Sequence, residues 1–139
     1  MRIIKSILIS IASLLPLACR NARNDDRKVS KSDSLFIKHQ WDKAIQLQYS
    51  MPEVALKIHE QINLLNKEKG YTKEIMNYYR QAVILSCFMG NNLNRAKLYA
   101  DSAWELAKTR EDGRFLYKAH TIYGLYHMAT EEIDKATPQ

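Results

Sequence analysis
The chain has 139 residues, 46% of them apolar, 26% charged and 9% aromatic, with a net charge of +6. One domain fits that length, and seven glycines and prolines are too few for a collagen-like or low-complexity chain. Two cysteines exclude a disulfide-rich scaffold and a four-thiolate zinc site.

At the amino terminus, Arg2 and Lys5 precede an uncharged, largely apolar run over residues 6–18. Thirteen residues are short of the roughly 20 that a bilayer-spanning helix needs, and match the apolar region of a secretory signal. The run ends in Leu15-Pro16-Leu17-Ala18-Cys19. This pentad resembles a bacterial lipobox, with Pro16 as its departure. The resemblance implies that Cys19 is lipidated and becomes the first residue of a mature chain on a membrane facing the periplasm. A soluble periplasmic product is the alternative. That mature chain has 121 residues, 19 basic and 15 acidic, for a net charge of +4. Residues 20–34 have almost no apolar content, so 19–34 reads as an anchor cysteine followed by a polar tether.

Residues 35–136 show helical periodicity throughout, which predicts an all-α domain. Helix one covers about 34–49, with Leu35, Phe36, Trp41, Ala44, Ile45 and Leu47. Ser50-Met51-Pro52-Glu53 predicts the start of helix two: Ser50 as cap, Pro52 in the first turn and Glu53 closing a capping box. Val54, Ile58, Ile62 and Leu65 then form one apolar face, and Gly70 ends the helix. Thr72 opens helix three, with Ile75, Tyr79, Ala82, Val83 and Ser86 inward. Gly90-Asn91-Asn92 is a turn. Helix four carries Leu93, Ala96, Tyr99, Ala100, Ala103 and Ala107. After Glu111-Asp112-Gly113, helix five carries Phe115, Ala119, Ile122, Tyr123 and Tyr126, and Thr130 caps a sixth helix that has barely begun.

Ala55, Ala96 and Ala136 recur at separations of 41 and 40 residues, each near the start of an even-numbered helix. Ile62 and Ala103 both lie seven residues beyond their alanine. Tyr123-Gly124, Ile133 and Ala136 resemble the signature positions of a tetratricopeptide repeat, and Gly90, Ala96 and Ala103 resemble those of the repeat before. The period exceeds the standard 34 residues, and Val83 and Ser86 replace the usual small and Tyr residues. Leader, tether and the segment Leu47–Leu56 together resemble the front of repeat-bearing sensor proteins of Bacteroidetes. The implied fold is a short α-solenoid of stacked helical hairpins, about five helices and a truncated sixth. Its implied role is a non-catalytic scaffold or sensor piece that binds a protein or peptide on its concave face. The family pattern puts Asn77, Arg80 and Ile84 of helix three on that face, with Lys118, Thr121 and Leu125 of helix five. An unfinished last repeat leaves apolar area of Ile122, Tyr123 and Tyr126 uncovered and implies marginal stability, self-association or a missing continuation, with an end-capping role for helix five as the alternative.

Little in the chain points to chemistry. His120 and His127 lie seven apart without an acidic or thiol ligand at matching spacing, which argues against a metal. Cys87 sits in an apolar stretch, as buried structural thiols do. No phosphate-binding glycine loop or nucleophile elbow occurs, so neither an enzyme nor a cofactor is expected. The excess basic charge is interleaved with acidic residues, unlike the clustered stripe of a nucleic-acid binder. The alternatives are an exported all-α protein without a ligand groove and a basic nucleic-acid binder.

Overall fold
A computed structural model describes residues 27–136, with side chains through Glu132. The signal run and Cys19 lie outside these residues. Among them there are five helices and no strand: α1 Lys31–Leu47, α2 Pro52–Lys69, α3 Thr72–Ile84, α4 Leu93–Lys108 and α5 Gly113–Ala136. α3 runs on as a π-helical turn, Leu85–Met89. Each helix packs on the one before, and α3 also packs on α5, so the chain forms an all-α stack of helical hairpins.

Local chemistry explains most boundaries. The Ser30 side chain accepts from the Asp33 amide and caps α1, three residues earlier than expected. Pro52 occupies the first turn of α2, where no amide donor is missed. Ser50 does not cap that helix, because Met51 holds the N-cap position without a side-chain bond. Glu53 closes no capping box and points instead to Arg95, 42 residues away. Gly70 adopts φ 74° and ends α2 in a left-handed turn that glycine enters without steric cost. Tyr71 occupies the N-cap position of α3, with Thr72 as its first helical residue.

The predicted sixth helix is the last part of α5. Thr130 caps nothing there: the helix runs through it to Ala136, and its hydroxyl donates to the His127 carbonyl of the preceding turn. Between Gly124 and Ala136 no glycine or proline stops the helix, and one exposed glycine alone is tolerated. Ala136 therefore lies in the same helix as Gly124, not at the start of a second one.

Small residues set the spacing. Ala96, Ala100, Ala103 and Ala107 form one fully buried stripe along α4 and pack with Met76, Val83, Cys87, Phe115, Ala119 and Ile122. A second cluster joins Ile37 and Ala44 of α1 to Ala55, Leu56 and Ile62 of α2 and to Tyr78, Ala82 and Leu85. Tyrosine hydroxyls then bind carboxylates between helices. Tyr71 donates to Asp33 at 2.5 Å, Tyr99 to Glu60 at 3.1 Å, and Tyr123 to Asp101. The bond from Tyr71 keeps the Asp33 carboxyl below its ordinary value.

The α3–α4 corner carries a second fastening. The Gly90 and Asn92 amides donate to the carbonyls of Leu85 and Ser86, both at 2.6 Å. Arg95 grips Glu53 with both guanidinium ends, at 2.7 and 3.2 Å, joining α4 to the start of α2. A Cβ at Gly90 would stand 3.0 Å from the Leu85 carbonyl and 3.6 Å from both the Arg95 and Glu53 side chains. An added Cβ would therefore push the Leu85 carbonyl aside by a few tenths of an ångström. Gly90→Ala is expected to lower unfolding free energy by about 1–2 kcal/mol, and Glu53→Gln by about 0.5 kcal/mol because that pair is part-exposed. Urea denaturation of the two variants measures both values.

Candidate binding cleft
α1 packs on α2 but makes no backbone approach to α3, whereas α3 and α5 lie against each other. The resulting gap is a cleft of about 350 Å³. Val29, Ser34, Ile37, Lys38 and Trp41 form one side, and Glu74 and Asn77 the other. The spacing of Ser34, Ile37, Lys38 and Trp41 places them on one face of α1. Val29 and Glu74 also border a second hollow of about 360 Å³ with Arg27, Lys28, Tyr71 and Lys73. The two hollows share residues and make one open trough between the entering chain, α1 and α3.

Trp41 organises the wall. Its ring meets the His59 imidazole edge-on, with centroids 4.6 Å apart at 78°. His59 is 2% exposed. Burial pushes its pKa down to about 4, so the ring is neutral near pH 7. Asn63 and Asn66 continue this buried polar line along α2 at helical spacing. Trp41 itself stays half-buried, with part of its surface open to the cleft.

Of the six groove residues expected from the repeat pattern, Asn77 borders this cleft. Arg80 and Ile84 follow it along α3, one exposed and one half-buried. On α5, Lys118 and Leu125 are half-buried and Thr121 is exposed, its hydroxyl donating to the Tyr117 carbonyl. The pattern missed Val29, Ser34, Ile37, Lys38, Trp41 and Glu74. Val29 and Ser34 stand in the segment read as tether, and Trp41 reads as core from its spacing alone. The repeat-signature alanines Ala55, Ala96 and Ala103 are all fully buried. Gly124 is exposed, and an added Cβ there would meet nothing within 4 Å.

The trough offers apolar surface from Val29, Ile37 and Trp41, amide and hydroxyl groups from Asn77 and Ser34, and charges of both signs. Such a mixture suits an apolar side chain on an extended backbone. Among the described residues no three His, Cys, Asp or Glu side chains group as metal ligands. Cys87 is buried, and burial raises its thiol pKa, which disfavours the reactive thiolate.

The neutral His59 makes stability pH-dependent. Its imidazole titrates near 6.5 when unfolded and near 4 when folded, so the unfolded chain binds more protons between those values. The contribution is full above pH 6.5 and is lost as pH falls to about 4. Wild-type unfolding free energy is expected to drop by about 2 kcal/mol between pH 7 and 5 relative to His59→Leu, in urea titrations of both proteins.

No protein-family model, curated protein or solved structure matches the chain.

Proposed function
We propose that this protein is a lipid-anchored, tetratricopeptide-like adaptor that binds an extended peptide segment of another protein. The observation that carries the reading is the trough between α1 and α3, with half-buried Trp41 in its wall. Stacked helical hairpins present their first helices as a continuous recognition surface, and a solenoid uses that surface rather than an enclosed pocket. An apolar side chain of the peptide lies against Trp41, Ile37 and Val29. Asn77 and Ser34 meet its backbone, and Arg80 and Lys118 extend the surface toward α5. The protein works by holding a partner, not by transforming it.

Anchoring rests on the resemblance of residues 15–19 to a lipobox. Among the described residues no helix is long and apolar enough to cross a membrane. From Cys19 to Arg27 the chain spans eight residues, about 27 Å when fully extended. An acylated Cys19 would therefore keep the mouth of the trough close to the lipid surface, and buried acyl chains contribute about 0.8 kcal/mol per CH₂.

Two measurements test this reading separately. In a peptide-display selection followed by titration, Trp41→Ala is expected to weaken the selected peptides about 30-fold, as truncation of a buried aromatic anchor does. Binding unchanged in Trp41→Ala would remove the cleft from the function. Cys19→Ser is expected to abolish acyl labelling and membrane recovery of the full-length protein. Equal membrane recovery without label would refute the anchor and leave the cleft untouched.

A further inference from the structure
Charge is distributed unevenly over the fold. Residues 27–33 and 67–74 carry six basic and three acidic side chains, a net charge of +3, whereas the rest of residues 19–139 carries 13 basic and 12 acidic. The two segments lie together, because the bond from Tyr71 to Asp33 ties the start of α1 to the turn between α2 and α3. Arg27, Lys28 and Lys73 border one hollow there, and Lys69 helps to hold the Asp33 carboxyl below its ordinary value. Lys28, Lys31, Lys67, Lys69 and Lys73 are all exposed, and none of the five forms an ion pair with a described residue. Elsewhere several basic side chains are paired, Arg95 with Glu53, Lys97 with Asp101 and Lys108 with Glu105. Lys67 and Lys69 suit the carboxyl end of α2, but Lys31 and Lys73 stand in the first turns of α1 and α3, where the helix dipole disfavours positive charge. The fold gives no reason for those two.

We infer that this end of the molecule docks on a membrane surface of anionic lipid. Phosphate headgroups supply the negative charge that the fold withholds from these lysines, and clusters of about four to eight basic side chains bind such surfaces. Position selects lipid over other polyanions. The chain runs from Arg27 back to Cys19, eight residues away, so the basic end is the end beside the anchor. That choice rests on the anchored reading above, while the attraction itself needs only the lysines. α2 ends at the basic end, and its 18 residues span about 27 Å. Docking there turns the corner between α1 and α2 away from the bilayer. Acyl chains hold the protein to the membrane, and the lysines fix which way up it stands.

The test uses the full-length chain made in bacteria, purified in detergent and reconstituted on vesicles of phosphatidylcholine with or without one third phosphatidylglycerol. A fluorophore on Ser32→Cys reports the basic end and one on Ser50→Cys the corner between α1 and α2, each by energy transfer to labelled headgroups. Phosphatidylglycerol is expected to raise transfer from Ser32→Cys about two-fold and not from Ser50→Cys. High salt should remove the rise by screening. Lys28→Gln, Lys69→Gln and Lys73→Gln together should abolish it. Lys43→Gln, Lys57→Gln and Lys97→Gln, which remove the same charge elsewhere, should leave it in place. Retention on neutral vesicles reads the anchor separately: a protein lost from neutral vesicles but held on anionic ones in low salt refutes the anchor and supports the docking. Equal transfer from Ser32→Cys on the two vesicles, a rise that survives high salt, or a rise that both lysine sets remove alike would overturn the inference.

Discussion
The structure depends on the alanine seam of α4. Ala96, Ala100, Ala103 and Ala107 remove bulk from one face of that helix, and all four are fully buried. Methyl-sized side chains let α3 and α5 both close on α4, and Met76, Phe115 and Ile122 fill the space between them. Interiors are packed nearly as densely as organic crystals, so such a seam fixes interaxial distance within narrow limits. Everything C-terminal to α3 takes its position from it.

No comparable seam joins α1 to α3. α1 is held through α2, by Ala44, Ala55 and Ile62, and by the bond from Tyr71 to Asp33 across 38 residues. These fastenings hold α1 against α2 and leave its backbone apart from that of α3. The cleft is the consequence. One half of the molecule is closed by small residues, and the other is kept open with an aromatic ring in its wall. The Arg95–Glu53 pair and the Tyr99–Glu60 bond tie α4 directly to α2, so the two halves cannot slide past each other while the cleft is open. Tyr123 lies in the same kind of bond, and its donation to Asp101 pushes its own pKa up to about 12.

Features set by neighbours in sequence were legible in the sequence. The spacing of Val54, Ile58, Ile62 and Leu65 marks α2, and Gly70 marks its end, since both signals act within a turn or two. Ala55, Ala96 and Ala103 announce close packing because nothing else explains a periodic small residue. Features set by distant partners were not legible. The bond from Tyr71 to Asp33 spans 38 residues without a local signal, and Glu53 abandons its local cap for Arg95. Thr130 resembles a cap in sequence, yet a threonine bonds equally well to the turn behind it when no breaker intervenes. The cleft was half legible. The repeat pattern reaches Asn77, but Trp41 carries the same apolar spacing whether it is sealed in a core or borders a gap. Only the separation of α1 from α3 decides between them.

The closed seam and the open cleft can be compared directly by adding the same bulk to each. The measurement is the unfolding free energy of Ala103→Leu against that of Asn77→Leu. Overfilling a packed seam costs about 1–3 kcal/mol, and Ala103→Leu is expected to lose that much. Asn77→Leu has cleft volume to occupy and is expected to change stability by no more than about 0.5 kcal/mol. Equal losses in the two variants, or a larger loss in Asn77→Leu, would contradict the account, because α1 and α3 would then be packed as tightly as α3 and α5.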